Sequence, residues 1–277
     1  MNVSHALAVL RAHPRPARLA AARVLAWSGL SRFLTIPLEG YRLRFYPTNT
    51  SANLWINAGE RVHGLDLFRD YCRPGETAVD VGANIGEVSL LLSRGVGPSG
   101  RVYAFEPHPR IYGYLRGNLA LNGRANVDAR NLAIGAAAGT ARMSDGKLDD
   151  MNRVDEAGTL PVRCSTLDLE IPATGAIALL KIDVEGSELL VLKGGPGTIA
   201  RAACINCEMG EAHYRRYGYG MSDVIAYLRA RGFETFVAAP ARVLRPVDAS
   251  FAEDGGYELI AVRDVDDFVA RTGWRIR

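Results

Sequence analysis

A chain of 277 residues, 48% hydrophobic and 23% charged, can bury a sizeable core, which excludes wholesale disorder and leaves room for one α/β domain with an appendage. A formal net charge of +3 is too small to imply a nucleic-acid partner by itself. The four cysteines are too few for a disulfide scaffold, and no apolar run approaches the ~18–20 residues that cross a bilayer.

In chain order, residues 1–40 read as a helical extension broken at His13-Pro14-Arg15-Pro16. Arg11, Pro14, Arg15 and Pro16 interrupt any signal-peptide core, so a cytoplasmic location is expected. In the second helical stretch Leu19, Val24, Leu25, Leu30, Phe33 and Leu34 are expected on one side, with Arg18, Arg23 and Arg32 among the polar positions. Two readings follow. The commoner is packing on the catalytic core or on a second copy in a homo-oligomer; the other is a basic amphipathic helix at a membrane surface, a peripheral membrane association. Residues 41–73 form a lead-in, beginning with an alternating edge strand at 41–46, and residues 74–277 are expected to form the catalytic domain.

From Thr77 onward strands and helices alternate: strands at 77–81, 101–105, 127–134, 177–182 and 203–207, with helices at 87–94, 109–121 and 187–193. A helix over 221–231 takes Ser222 as its N-cap, and strands at 233–237 and 257–262 close the series as an antiparallel pair. This pattern predicts an α/β fold, a doubly wound, mostly parallel sheet with an antiparallel last strand, which binds ligands beyond the carboxyl ends of its strands. Cys204-x-x-Cys207 lies inside one such strand. Residues three apart point to opposite faces, so structural thiols are expected there and not a metal pair.

Three segments carry chemistry. Asp80-Val81-Gly82-Ala83-Asn84-Ile85-Gly86 joins the first strand to its helix. Gly82 and Gly86 permit a sharp turn and close approach of a ligand. The spacing is not the G-x-G-x-x-G that presents a helix N-terminus to a pyrophosphate, and an acid at the strand end suits a ligand with a positive centre. Glu106, in Phe105-Glu106-Pro107 after the second strand, is placed to accept both hydroxyls of an adenosine ribose. Lys181-Ile182-Asp183-Val184-Glu185-Gly186 follows the fourth strand, where Asp183 should face the reacting group. The absence there of an Asn/Asp-Pro-Pro-aromatic segment argues against nucleobase acceptors.

The runs DVGANIG, FEP, KIDVEGSE and INCE, in that order over residues 74–210, resemble the FkbM family of S-adenosylmethionine-dependent methyltransferases. Ser165-Thr-Leu-Asp168 matches a further family segment. The resemblance implies the class I methyltransferase (Rossmann-like) fold, S-adenosyl-L-methionine as cofactor, and cofactor contacts at Asp80, Gly82, Asn84, Gly86 and Glu106. It places the adenine near Asn131, Leu132 and Ala133. It further implies O-methylation of a small-molecule or glycan acceptor such as a sugar, glycolipid or natural product. Asp183 is the first candidate for the base, with His213 the runner-up because imidazole titrates near neutral pH. Asp183, Glu185 and Glu208 together offer oxygen ligands for a Mg²⁺ ion, against which stands the pairing of Glu185 or Glu208 with Lys181 or Arg215. The segment 144–156 is a candidate lid, and Tyr214, Tyr217 and Tyr219 candidates for stacking on a sugar or for loop packing. His108 is expected at the pocket rim and His63 has no assigned place. The rival readings are N-methylation of a small metabolite, a nucleotide-binding oxidoreductase on a similar sheet, and a binding module without turnover; no nucleic-acid partner is expected.

Overall fold

The computed structural model describes residues 13–57, 64–146, 152–154, 157–251, 253 and 255–277; the expected helix before His13, and His63, lie outside them. The described chain opens on α1 (Pro16–Ser28), a 3₁₀ turn (Leu30–Phe33), the strands β1 (Thr35–Leu38) and β2 (Tyr41–Arg44), and the helices α2 (Asn49–Ile56) and α3 (Asp66–Asp70). β1 and β2 pair only with each other, as an antiparallel hairpin, so residues 41–44 do not edge the main sheet.

The main sheet follows. Its parallel strands are β3 (Thr77–Val81), β4 (Arg101–Phe105), β5 (Val127–Arg130), β9 (Ile177–Ile182) and β10 (Ala202–Gly210). β13 (Gly256–Val262) runs antiparallel between β10 and β11 (Glu234–Ala239). With β12 (Val243–Pro246) and β14 (Arg275–Ile276) at the far edge, the nine strands stand in the order β14-β12-β11-β13-β10-β9-β3-β4-β5. The order reverses between β3 and β9, which is where a doubly wound sheet opens a ligand crevice. The expected pair at the end of the chain, β11 and β13, is therefore directly antiparallel, and β12, which lies between them in sequence, pairs on the outer side of β11.

Two expectations are corrected. The third strand does not run unbroken to Ile134. It ends at Arg130, and β6 (Ala133–Ile134) leaves for a separate three-stranded sheet with β7 (Gly139–Met143) and β8 (Leu160–Ser165). The Asn131 amide causes the bend to be held, since its Nδ2 donates to the carbonyls of Glu106 and Pro107 at 2.9 and 2.8 Å. The helix α10 (Met221–Arg229) is capped at Gly220 and not at Ser222. Asp223 Oδ2 accepts the Gly220 N–H at 2.8 Å, the first-turn acid of a capping box reaching back to the cap residue.

Strand alternation sends side chains into two cores. Ala78, Leu179, Cys204 and Ile260 belong to one, with α4 (Glu87–Val96) and α5 (Pro109–Leu121) over them. Val79, Leu180, Ile205, Cys207 and Leu259 belong to the other, under α7 (Glu188–Lys193), α8 (Pro196–Ala200) and α10. Cys204 and Cys207 thus lie on opposite faces, both fully buried, and burial raises both thiols well above their ordinary pKa. Neither the geometry nor the ionisation suits a metal. Asp168, in the short helix α6 (Leu167–Glu170), accepts the N–H groups of Gly197 and Thr198 and the Thr198 hydroxyl, which ties α6 to α8.

Candidate functional site

The site grows out of one layer of the sheet. On the α4 face, Ala78, Leu179 and Cys204 form an apolar row across β3, β9 and β10. Two residues further along each strand the same face presents Asp80, Lys181 and Asn206, paired in register. Two further still it reaches Gly82, Asp183 and Glu208, at the carboxyl ends. An apolar floor, a buried polar row and an open mouth thus follow from the period of two.

Lys181 holds the polar row together. Its ammonium lies 3.3 Å from Asp80 Oδ1 and 3.3 Å from Asp183 Oδ2, and donates to the Gly82 carbonyl at 2.7 Å. Burial opposes the charge, but the carboxylates of Asp183 and Asp80 outweigh it and hold the lysine pKa above its ordinary value. Asp80 is fully buried; its second oxygen accepts the Ser89 hydroxyl at 2.5 Å. It stands behind the cavity wall, between Lys181 and Ser89 of α4.

The turn itself is tightly constrained. Gly82 has φ +80°, and a Cβ there would overlap the Asp183 carbonyl oxygen. Asn84 adopts a positive φ of 46°. Gly86, at φ +93°, begins α4 with its Cα facing Leu115, where a Cβ would come within 2.6 Å of Cδ1. Gly86 therefore serves packing of α5 on the turn, and Gly82 the crossing of two strand ends.

Glu106 faces the same cavity while nearly buried. Its Oε2 accepts the Asn84 N–H at 3.0 Å and its Oε1 the His108 N–H at 2.9 Å. Burial pushes its pKa up to about 7, against the lowering pull of those two N–H groups. Each oxygen keeps a lone pair for a ligand hydroxyl. His108 is a cap: Nδ1 accepts the Arg110 N–H at 3.3 Å, leaving Nε2 to face Asp145 at 3.1 Å.

A cavity of about 440 Å³ lies over this row, within the range of small-molecule sites. Gly82, Asn84, Glu106, Leu132 and Ala133 line it, as do Lys181, Asp183, Glu185 and Glu208. Of the expected cofactor residues, Asp80, Gly86 and Asn131 do not line it. Asn131 holds the carbonyls of Glu106 and Pro107, which do, Asp80 pairs with Lys181, which does, and Gly86 packs against Leu115. From the expected lid, Asn152, Arg153 and Val154 line the cavity; residues 147–151 and 155–156 lie outside the described part.

Asp183, Glu185 and Glu208 present carboxylate oxygens within 4.8 Å of one another. Asp183 is 38% exposed; burial works against its charge, yet Lys181 holds its pKa below the carboxylate range. Glu208 is driven up, first by the charge of Asp183 and then by burial. The two therefore share one proton near neutral pH, with Asp183 ionised and Glu208 acidic. Glu185 Oε2 faces His213 Nδ1 at 3.5 Å. His213 thus stands beside Glu185, one position removed from the pair, and Arg215 pairs with Glu211 at 3.3 Å.

Sequence reasoning missed two supports, Glu188 and Thr50, and named the tyrosines with loop packing as one of two roles. Glu188 is buried under the 184–186 turn, accepting the N–H groups of Val184 and Gly186 at 2.9 and 3.4 Å, and burial raises its pKa to about 7. Thr50 of α2 reaches the cavity and faces the Asn84 amide at 3.5 Å. The tyrosines are committed to loops: Tyr214 donates to the Glu208 carbonyl at 2.9 Å, Tyr217 to that of Val154 at 2.5 Å, and Tyr219 to that of Gly186. Their hydroxyls tie down the loops around the mouth, and only the acid that ends the KIDVEGSE run hinted at Glu188.

Residues 80–235, more than half of the chain, match the methyltransferase FkbM domain. The chain is similar to 31-O-demethyl-FK506 methyltransferase FkbM of Streptomyces tacrolimicus, 30% identical over 223 residues, 64% of this chain and 84% of that protein. It is 31% identical over 172 residues to methyltransferase sdnD of Sordaria araneosa, 47% of this chain and 66% of that protein. Among solved structures, methyltransferase FkbM from Methylobacillus flagellatus KT aligns with a TM-score of 0.45 at 16% identity, covering 89% of this chain and 59% of that one.

Proposed function

The chain belongs to the FkbM family of S-adenosylmethionine-dependent methyltransferases, and from that premise we propose that it methylates a hydroxyl oxygen on a sugar, glycolipid or natural-product acceptor. The observation that carries the proposal is the Asp183–Glu208 pair, a carboxylate beside a proton-bearing acid at the cavity mouth, backed by the buried Lys181. A hydroxyl nucleophile must shed a proton as it attacks, and the pair is a place to put it. The O-methylation in the name of the Streptomyces tacrolimicus relative supports the same reading. The family assignment displaces the oxidoreductase alternative.

The residues present fit the cofactor. The Gly82 turn, which only a residue without a Cβ can place against the Asp183 carbonyl, lines the crevice, and Glu106 offers lone pairs for ribose hydroxyls beside the apolar wall of Leu132 and Ala133. Bound there, S-adenosylmethionine supplies a methyl carbon activated by its sulfonium. Asp183 accepts a hydrogen bond from the acceptor hydroxyl and orients its oxygen in line with that carbon. With the cofactor bound, the Asp183–Glu208 pair would take the proton that the acceptor hydroxyl sheds as its oxygen gains the methyl group, the bonding pair staying on sulfur. Lys181 steadies Asp183 throughout.

A Mg²⁺ ion on Asp183, Glu185 and Glu208 is the second reading, favoured by their mutual reach of 4.8 Å. The proton pair is preferred because Lys181 already compensates Asp183. The four cysteines, each an unpaired thiol, fit a reducing compartment, and a cytoplasmic site of action is part of the proposal. No described helix is long and apolar enough to cross a membrane.

The test is methyl transfer from labelled S-adenosylmethionine to a panel of polyols, glycans and amines, with and without a chelator, alongside calorimetry with S-adenosylhomocysteine. Transfer to hydroxyls that survives chelation and is lost in Asp183→Asn supports the proposal. Transfer confined to amines overturns it, and loss on chelation moves the chemistry to the metal.

A further inference from the structure

The helix α1 and the 3₁₀ turn after it were expected to gather their apolar residues on one side, and the structure divides them between two. Ala22 is buried and Leu19 and Leu25 pack against the core. Arg15 and Arg18 donate through Nη1 to the Ile56 carbonyl at 2.9 and 3.0 Å, which fastens α1 to the end of α2. The other side faces solvent: Trp27 is 90% exposed, Phe33 70%, Val24 62% and Leu30 55%, with Leu34 beside them. Among the described residues seven large apolar side chains are exposed, and five of them fall in this stretch of eleven. A helix anchored on one side while it holds a tryptophan and a phenylalanine in water on the other is built to meet something apolar.

The charge around the patch says what. Residues 13–38 contain four arginines, Arg15, Arg18, Arg23 and Arg32, and no acid. Arg18, Arg23 and Arg32 are exposed, and the Arg32 guanidinium sits 4.9 Å over the Phe33 ring. A second copy docking through a two-fold axis would set this patch against itself and bring arginine to arginine. An anionic bilayer instead offers phosphates to the arginines and acyl chains to the aromatic residues. Trp is the side chain best suited to that boundary, and a 13-residue helix is of a length to lie in the plane and not to span it.

We propose that α1 and the following turn form a peripheral docking surface for anionic membranes, with Val24, Trp27, Leu30 and Phe33 entering the headgroup boundary and Arg23 and Arg32 binding lipid phosphates. The surface is carried by elements outside the methyl-transfer chemistry. It is fastened through Arg15 and Arg18 to α2, whose Thr50 lines the cavity.

The experiment is cosedimentation of the full chain with vesicles of phosphatidylcholine alone and with about 30% phosphatidylglycerol. Binding should appear on the anionic vesicles, weaken with salt, and blue-shift tryptophan emission, a shift absent in Trp27→Phe. Trp27→Ala/Phe33→Ala should weaken partitioning at least about tenfold, and Arg23→Gln/Arg32→Gln by about fivefold per charge. Both variants should bind S-adenosylhomocysteine as the parent does, which separates failure of this surface from failure of the site. Equal binding to both compositions, or none to either, overturns the proposal. So does a concentration-dependent dimer that Trp27→Ala/Phe33→Ala converts to monomer, since a second copy would then be the occupant.

Discussion

Replacing Lys181 with methionine removes the one cation of the buried row while keeping the length and apolar stem of the side chain. At 3.3 Å from each of Asp80 and Asp183, and with an effective dielectric of about 20, each pair represents about 5 kcal/mol of gross attraction. Most of that is offset by desolvation. What the variant loses is the compensation of two carboxylates left behind, for which about 3–5 kcal/mol is the expected destabilisation. The sign with pH follows from the direction of the shifts. Lys181 is raised and Asp183 lowered, so in the parent the pairing is fully present above the unfolded carboxylate pKa of about 4 and below the unfolded lysine pKa of about 10. In the variant the unpaired carboxylates are raised and take up protons as the solution is acidified, while the parent does not. Urea denaturation followed by circular dichroism should therefore show a wide gap near pH 7 that narrows toward pH 5. Lys181→Met/Asp183→Asn should recover at least about 1 kcal/mol of the loss, the mark of an energetic coupling. A Lys181→Met variant within about 1 kcal/mol of the parent at pH 7, or a gap unchanged with pH, would refute the reasoning.

Four further expectations concern the site. Gly82→Ala meets both a φ of +80° and the Asp183 carbonyl, whereas Gly29→Ala meets only a φ of +73° in open space; thermal melts should show a cost of about 1 kcal/mol for the second and several times that for the first, with loss of S-adenosylhomocysteine binding. Glu106→Gln sets an amide N–H against the N–H of Asn84 or His108 and should weaken that binding by about tenfold or more, and because the Glu106 carboxyl is pushed up to about 7, parent affinity should rise from pH 6 to pH 8; affinity flat across that interval would remove the carboxylate from ribose recognition. The raised pKa values of Glu106 and Glu188 mean that the folded chain holds protons the unfolded chain has released, so their contribution to stability falls as pH climbs from about 4 to about 7. For catalysis, Asp183→Asn should slow transfer at least about a hundredfold, and Glu208→Gln should erase the rise in rate that the parent shows in the alkaline range as the pair loses its last proton. Persistence of that rise in Glu208→Gln would place the titrating group elsewhere.

The proposed chemistry assigns unequal parts to residues that look alike in the sequence. Asp80 and Asp183 both end strands beside the crevice, yet one is sealed behind the wall and the other stands 38% exposed at the mouth. Gly82 and Gly86 both have positive φ, yet one admits a strand crossing and the other a helix.

Much of this was legible from local pattern. The alternation of short apolar runs with helices of period 3.6, the Asp80–Gly86 turn and the acids at 106 and 183 are all properties of neighbours along the chain, and local sterics suffice to place them. The turn had to follow β3, and the acids had to lie at strand ends, because apolar runs of this length stop there. Registry between strands is a different kind of fact. Lys181 reads as a partner for Glu185 or Glu208 until β9 is set between β3 and β10, whereupon it falls level with Asp80 and Asn206 and becomes the cation under the site. Val127 to Ile134 reads as one strand, and only the Asn131 hydrogen bonds to a distant loop break it in two. The proton shared by Asp183 and Glu208 is likewise invisible along the chain, since it arises from the approach of two carboxylates 25 positions apart. Strand and turn identity came from the sequence because they are set by forces acting over a few residues. The charge state of the site came from the tertiary structure because burial and Coulomb energy depend on distances that only the folded sheet creates.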